Sequence, residues 1–315
     1  MAVAIHGPHA AIVTDSPRER FTLDLFDHLW ERFRNRVSFV NTYEKIVHDH
    51  SATFFNDHIA FRTFASQNPQ TGISSLSRLF EALGYRAADS YQFEDKHLSA
   101  LYFQHPHPKF PKLFISELRA CELSLPAIDI IHDTIKTHRP NPDERFLARL
   151  AHLDQSTADR EELLRQSVAL IHELPWELPR KKDVIDLNKE SQYGAWVLVH
   201  GYQVNHFTSL INSHGVEGLN DIEKTAAAMA GAGVPMKKEI EGAPGSKLRQ
   251  TATEAVNIPV EVEDGGKTVS IPWTYAYFEL AQRDPFIDKD SGKLVRYEGF
   301  LGPQATNLFD MTKVK

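Results

Sequence analysis

One order of secondary structure, strand–helix–strand–strand–strand, is predicted twice along this chain of 315 residues. In the first half we predict a strand, a helix and three further strands, at 58–64, 72–83, 90–93, 98–105 and 112–118. In the second half we predict strands at Ala195–Val199 and Tyr202–Phe207, a helix at Asp221–Gly231, and strands at Leu248–Ala255, Ile258–Glu263 and Trp273–Ala281. The repeat predicts an α+β fold built from two βαβββ modules.

Helical segments flank and separate these modules. Apolar residues recur at three- and four-residue intervals from Arg20 to Val47, and helical spacing returns from Ala127 to about Glu177. We therefore divide one integrated domain into N-terminal helices, a first module, a helical insertion, a second module and a C-terminal segment, at 1–50, 51–120, 121–195, 196–284 and 285–315.

The composition limits the class of protein. Hydrophobic residues make up 42% and charged residues 24%, as in soluble folded chains, and the net charge of −7 lacks the basic excess of a general nucleic-acid binder. The one cysteine, Cys121, cannot form a disulfide within the chain, and no stretch approaches the ~18 apolar residues of a membrane span. We expect a cytoplasmic protein without nucleic-acid or membrane partners.

Each half carries a histidine on its first strand and a glutamate on its last, namely His58 with Glu117 and His206 with Glu279. Because residues four apart on a strand share a face, His58 and Arg62 point the same way. Two imidazoles and one carboxylate form the facial triad that holds non-haem Fe(II) with open coordination positions. The same residues also fit an ordinary core, with hydrogen-bonded histidines and Glu279 paired to an arginine, and strand parity leaves both interpretations open.

Six segments together resemble one family: NDHIAFRTF, GYQVNHFTSLIN, GVPMKKEIEGAPGS, LRQTAT, PWTYAYFELAQRD and YEGFLGPQATNLF. It is the 2-oxoadipate dioxygenase/decarboxylase (2-hydroxyglutarate synthase) family, and the resemblance runs from about Phe21 to Met311. The family is similar in fold to the vicinal oxygen chelate superfamily, whose paired modules form a curved sheet around a metal site. This agrees with the duplicated order of strands and helices.

The resemblance implies an Fe(II) enzyme that binds a 2-oxo acid, consumes O₂ and releases CO₂, with 2-oxoadipate giving 2-hydroxyglutarate. Carried over by motif, the histidines of HIAFR and VNHFT are His58 and His206, and the carboxylate of FEL is Glu279. These three residues would bind the metal, and Arg62 would bind a substrate carboxylate as a fourth catalytic residue.

Weaker assignments concern the pocket wall. By the same resemblance Gln304 and the backbone of Pro303 would line the substrate, although the closing segment FLGPQATNLF departs from the FLPVSAAGIF pattern of longer bacterial members. Gln250, in LRQTAT, is a further candidate for hydrogen bonding the acid. Each assignment has a structural alternative. Gln304 and Pro303 would lie in a surface turn, and Gln250 would be a strand glutamine whose hydrogen bonds are satisfied by its neighbours.

Two other functions remain open from the sequence. In a glyoxalase-like isomerase or lyase, Glu117 would join the other three residues around Ni²⁺ or Zn²⁺ and leave less room for O₂. In a metal-free binding protein, the pocket would sequester a small acid. His200 is a further ligand candidate if its strand runs unbroken to His206, but Gly201 favours a bulge between them.

Overall fold

A computed structural model describes residues 7–156, 159–289 and 291–301. Its helices are α1 (Pro17–Arg36), α2 (Phe39–Asp49), α3 (Ile73–Ala82), α4 (Leu125–Ile135), α5 (Glu144–Ala151), α6 (Arg160–His172), α7 (Lys181–Glu190), α8 (Gln192–His200) and α9 (Ile222–Gly231). Its strands are β1 (Asn56–Phe64), β2 (Arg86–Phe93), β3 (Leu98–Gln104), β4 (Lys112–Leu118), β5 (Val204–Leu210), β6 (Leu248–Ala252), β7 (Asn257–Asp264), β8 (Lys267–Thr274), β9 (Tyr277–Arg283), β10 (Pro285–Ile287) and β11 (Leu294–Arg296). Across these ranges, none of the helices combines the length and the apolar character needed to cross a membrane.

One sheet organises the fold. Within the described part of the chain it has seven strands in the order β2-β3-β4-β1-β5-β9-β6. The two modules meet at its centre, where β1 and β5 pair antiparallel. In each module the first and last strands are parallel neighbours, β1 with β4 and β5 with β9. The sheet curls into a half-barrel, which confirms the predicted α+β class and its two modules.

The second module differs in detail from the predicted strands. The segment predicted as one strand, Trp273–Ala281, is two strands, because β8 ends at Thr274 and β9 begins at Tyr277. β8 pairs with β7 in a separate hairpin, so this module adds β5, β9 and β6 to the sheet. The hairpin packs against α7 and α8 and keeps part of its surface exposed, and it forms a separate sheet of two strands.

The segment Ala195–Val199 is a helix, and its prediction as a strand is wrong. Ser191 caps α8 by accepting a hydrogen bond from the Gly194 amide at 3.0 Å. Gly201 ends it with φ +59°, at a point where a Cβ would lie 2.5 Å from Cδ of Pro175. Because α8 is buried from Tyr193 onward, no polar face marks its period, and a short apolar run is equally compatible with a buried strand. The helical region therefore extends to His200 instead of ending at 195.

The two faces of the sheet are chemically different. α1 covers one face, where the Trp30 ring lies 5.0 Å from that of Phe207 and 6.0 Å from that of Phe278 between centroids. Phe207 follows His206 and Phe278 precedes Glu279, so alternation turns both polar side chains to the opposite face. His206 and Glu279 therefore point to the inner side of the curled sheet, opposite the aromatic core.

His200 makes the fold sensitive to acid, and this is our first prediction. Burial lowers the pKa of His200 to about 3, and its Nε2 lies 2.9 Å from the Thr274 carbonyl oxygen. The side chain is neutral when folded but protonates near pH 6.5 when unfolded, so its stabilising contribution is complete above pH 6.5 and is lost as the pH falls. Between pH 7.5 and 5.0 the free energy of unfolding should fall by about 2 kcal/mol through this residue.

Urea denaturation of the wild type and His200→Gln at both pH values measures this contribution. The stability advantage of the wild type should shrink by that amount at pH 5.0. An advantage that is equal at both pH values would contradict a buried neutral imidazole.

Candidate metal centre

Three neighbouring strands bring His58, His206 and Glu279 together. Thr208 of β5 is the register partner of His58 on β1 and of Glu279 on β9, so the three side chains project from adjacent positions of one face. Their ligand atoms all lie within 4.8 Å of one another, and all three residues are buried. Nε2 of His58 lies 3.3 Å from Nε2 of His206 and 3.4 Å from Oε1 of Glu279, and Nε2 of His206 lies 3.8 Å from Oε2 of Glu279.

The outer nitrogen of each imidazole is already hydrogen-bonded. Nδ1 of His58 donates to Oδ2 of Asp57 at 2.9 Å, and Nδ1 of His206 donates to Oδ1 of Asn205 at 3.1 Å. Each Nε2 therefore carries a lone pair; the two Nε2 atoms lie 3.3 Å apart, and the Thr208 hydroxyl oxygen lies 3.0 Å from Nε2 of His58. Burial lowers the pKa of His58, and it lowers that of His206 further, which favours the neutral imidazole that binds a metal.

Glu279 presents one oxygen without a partner. Its Oε1 accepts hydrogen bonds from Nε2 of Gln250 at 2.5 Å and from Oγ1 of Thr208 at 3.2 Å, whereas Oε2 has none within the described residues. Burial raises the pKa of Glu279 to about 8. A cation would satisfy this oxygen and accept the lone pairs of the two Nε2 atoms. The two nitrogens and one oxygen therefore fit a divalent first-row transition metal.

Asp57 connects His58 to a buried arginine. Arg283 donates to Oδ1 of Asp57 from Nε at 2.5 Å and to Oδ2 from Nη2 at 2.8 Å. Burial alone would raise the pKa of Asp57, but the charges of Arg283 and Lys112 and the hydrogen bonds from His58 and Arg283 hold it well below its usual value. The carboxylate thus stays ionised and fixes the orientation of the His58 ring. Sequence reasoning missed this role, although Asp57 adjoins His58 and Arg283 shares the strand parity of Glu279.

Arg62 lines the same small pocket as His58, as parity predicts. The pocket of about 50 Å³ is also lined by His206, Gln250 and Glu279. Arg62 is only 2% exposed, and its guanidinium carbon lies 4.9 Å from the ring centroid of Tyr193 and 5.2 Å from that of Trp196. Gln250 lies at the site as well, but one hydrogen of its amide group is directed to Glu279.

Phe300 covers the pocket from the C-terminal side. Its ring centroid lies 4.8 Å from that of His58, and its amide donates to the Tyr91 hydroxyl at 3.0 Å. Arg283 holds the preceding turn by donating from Nη1 to the carbonyls of Tyr297 at 3.0 Å and Gly299 at 2.6 Å. Gln304 and Pro303 lie outside the described residues.

Glu117 and His200 lie away from the three ligand candidates. Glu117 is the register partner of Thr63, one residue beyond Arg62, and its Oε2 accepts the Ile73 amide at 2.8 Å at the start of α3. It therefore caps a helix on the opposite face of the sheet. His200 is directed to the Thr274 carbonyl, as described above. The geometry does not favour a four-ligand glyoxalase-like site.

A curled sheet of paired modules thus carries a buried cluster of two histidines and one glutamate that could hold a metal ion. The sequence profile of the family described as 2-oxoadipate dioxygenase/decarboxylase matches residues 26–306. The chain belongs to this family, which confirms the resemblance inferred from its motifs. It is accordingly an enzyme of the dioxygenase/decarboxylase class.

Individual relatives agree with this assignment. The chloroplastic 2-oxoadipate dioxygenase/decarboxylase of Arabidopsis thaliana is 30% identical over 275 residues, which cover 81% of this chain and 67% of the relative. The crystal structure of the Oryza sativa hydroxyglutarate synthase in complex with 2-oxoadipate is 26% identical with a TM-score of 0.75, covering 99% of this chain and 98% of that one. A glyoxalase superfamily protein of Ralstonia eutropha JMP134 shares the fold, with 20% identity, a TM-score of 0.80, and coverage of 95% and 93%.

Proposed function

We propose that this protein is an Fe(II)-dependent dioxygenase that converts 2-oxoadipate and O₂ into 2-hydroxyglutarate and CO₂. The observation that carries the proposal is the convergence, beside Arg62, of two imidazole nitrogens and a carboxylate oxygen that has no hydrogen-bond partner among the described residues. Family membership, and the rice relative described in complex with 2-oxoadipate, supply the substrate class.

We also retain a cytoplasmic location as a prediction from the single exposed cysteine, Cys121.

In this proposal His58, His206 and Glu279 hold the metal. Two imidazoles and one carboxylate are the ligand set of non-haem Fe(II) oxygenases, and bound Fe(II) would supply the activation of O₂ next to the 2-oxo group. Asp57 and Asn205 hold the two rings in the tautomer that directs Nε2 inward. Gln250 and Thr208 direct Glu279 by binding one of its oxygens and leaving the other available.

Arg62 in this proposal binds the distal carboxylate of the diacid. It lies four residues from His58 on β1, so the two Cα atoms are separated by about 13 Å at ~3.3 Å per residue, and both side chains reach into the pocket between them. An extended diacid of five or six carbons fits the shorter gap between the ends of these two side chains when its 2-oxo end lies at the three ligands. The aromatic rings of Tyr193 and Trp196 hold the guanidinium in place.

Phe300 has to shift when the substrate enters. A pocket of about 50 Å³ corresponds to only a few water positions, at roughly 10–15 Å³ each, which is too small for a six-carbon diacid. The Phe300 ring occupies the adjoining space against His58 and Phe114. Its return over the bound acid would exclude bulk water from the reaction.

Oxygen stoichiometry tests the proposed function and is our second prediction. Protein reconstituted anaerobically with Fe(II) should, on addition of 2-oxoadipate and O₂, consume O₂ and release CO₂ at about one to one and form 2-hydroxyglutarate. No separate 2-oxoglutarate should be required, since the substrate itself supplies the 2-oxo acid. An oxygen electrode, CO₂ trapping and chromatography of the product measure the three quantities.

Protein reconstituted with Zn(II) is the control and should consume no O₂. A panel of 2-oxo mono- and dicarboxylates defines the substrate class in the same assay. Full turnover under argon, or equal turnover with Zn(II), would contradict the dioxygenase proposal and favour an isomerase.

A further inference from the structure

A second, larger cavity lies apart from the metal pocket. α3, α5, α6 and the 138–142 loop line a cavity of about 350 Å³ that is partly open to solvent, a volume within the range of ~300–1,000 Å³ found for ligand sites. It is several times larger than the metal pocket, and the described residues that line the two spaces do not overlap. Since α3 begins at the Glu117 carboxylate, the cavity lies on the face of β1 opposite to Arg62. The proposed reaction gives this space no role.

The lining of this cavity combines an apolar interior with positive charge. Apolar side chains come from all three helices: Leu76, Leu79, Phe146, Leu147 and Leu170. Three arginines also line it, Arg78, Arg139 and Arg165, and no Asp or Glu is among the described lining residues. A ligand that matches this surface has an apolar body and an anionic group.

Each of these arginines is bound to a glutamate outside the lining. Arg78 pairs with Glu144 at 2.5 Å, and that glutamate side chain is 77% exposed. Arg139 and Arg165 likewise pair with glutamates whose side chains are 57% and 42% exposed. Ion pairs of this kind contribute only about 0–1 kcal/mol, so a ligand carboxylate can replace one at little expense.

The cavity adjoins the residues that position Arg62. Tyr202, which lines the cavity, donates its hydroxyl to Nε2 of His138 at 2.7 Å, and the Thr63 side chain offsets part of the rise that burial causes in the Tyr202 pKa. Thr63 follows Arg62 on β1, and its amide donates to the Tyr193 hydroxyl at 3.3 Å. The guanidinium of Arg62 lies over the Tyr193 ring. A displacement of Tyr202 therefore acts on both the strand and the ring that position Arg62.

We propose that this cavity is a second binding site, for a small carboxylate with an aromatic or branched aliphatic body, and that its occupancy is coupled to substrate binding at Arg62. Binding at the cavity is independent of the reaction proposed above. The coupling rests on that proposed function, because it is measured through 2-oxoadipate.

Calorimetry with 4-phenylbutyrate and the neutral 4-phenylbutan-1-ol tests the site. The wild type should bind the carboxylate, and Ala169→Trp should abolish binding because the indole fills the cavity from α6, with Ser75→Phe filling it from α3 as a second variant. Ala227→Trp, on the exposed surface of α9, is the matched control and should bind as the wild type does. Arg78→Gln should weaken binding of the carboxylate at least about fivefold and leave that of the alcohol unchanged. Absence of binding to the wild type, or equal binding by both filled variants, would overturn the proposal.

Titration of anaerobic Fe(II)-loaded protein with 2-oxoadipate tests the coupling. Saturating 4-phenylbutyrate should change the Kd of 2-oxoadipate at least about fivefold in the wild type and less than about twofold in Tyr202→Phe, which lacks the hydroxyl group between His138 and Thr63. If both ligands bind without affecting each other, the coupling is overturned. If 2-oxoadipate fails to bind while 4-phenylbutyrate binds, the proposed reaction fails and the cavity site stands.

Discussion

Alanine at His58, at His206 or at Glu279 is expected to remove the metal and abolish turnover while the protein stays folded. Each ligand candidate supplies one of three converging atoms, and replacing even an outer partner of a ligand typically weakens metal binding by 10–100-fold. Loss of a ligand should therefore lower Fe(II) affinity by more than about 100-fold. The fold persists because the aromatic core lies on the other face of the sheet. Metal analysis after gel filtration, with circular dichroism for folding, measures both effects.

Glu117→Ala is the matched control for this series. It removes the equivalent glutamate of the first module, which caps α3 and lies on the opposite face of the sheet. This variant should keep its metal and lose only about 1 kcal/mol of stability, the usual effect of a lost helix cap. Retention of metal and activity by any one of the three alanine variants would remove that residue from the ligand set, and metal loss in Glu117→Ala would restore the four-ligand site.

The next largest effect is expected at Arg62, where lysine should lower kcat/KM for 2-oxoadipate by roughly 30-fold or more. A planar guanidinium binds a carboxylate with two parallel hydrogen bonds, which an ammonium group does not reproduce, and loss of a buried charge-assisted contact typically costs about 2–5 kcal/mol. Lysine would also lose the stacking on Tyr193 and Trp196. Steady-state kinetics on Fe(II)-loaded Arg62→Lys measures the change.

A 2-oxo monoacid of similar length separates recognition from support of the site. It has no distal carboxylate, so its kcat/KM should fall much less in the same variant. Equal losses for diacid and monoacid, with iron content unchanged, would show that Arg62 supports the pocket without contacting the distal carboxylate.

Strand parity accounts for what the sequence predicted at the site. Alternation along β1 placed His58 and Arg62 on one face, and both line the pocket. The duplicated order of elements predicted the two modules, because each strand and helix in them leaves a local periodic pattern. Parity relates residues only within one strand, so it did not distinguish Glu279 from Glu117.

Contacts between distant segments were decided by tertiary structure. The ion pair of Asp57 with Arg283 joins residues 226 positions apart, and the cap of α3 by Glu117 spans 44. α8 shows the same limit, since a fully buried helix carries no polar face from which its period could be read. The sequence by itself determined the two modules, the presence of one histidine on the first strand of each, and the family to which the chain belongs. Tertiary structure decided which face of the sheet carries the three ligand candidates. It also decided where the second cavity lies and how Tyr202 is placed relative to Arg62. These features depend on how the sheet curls and which elements pack against it, and no local sequence pattern contains that information.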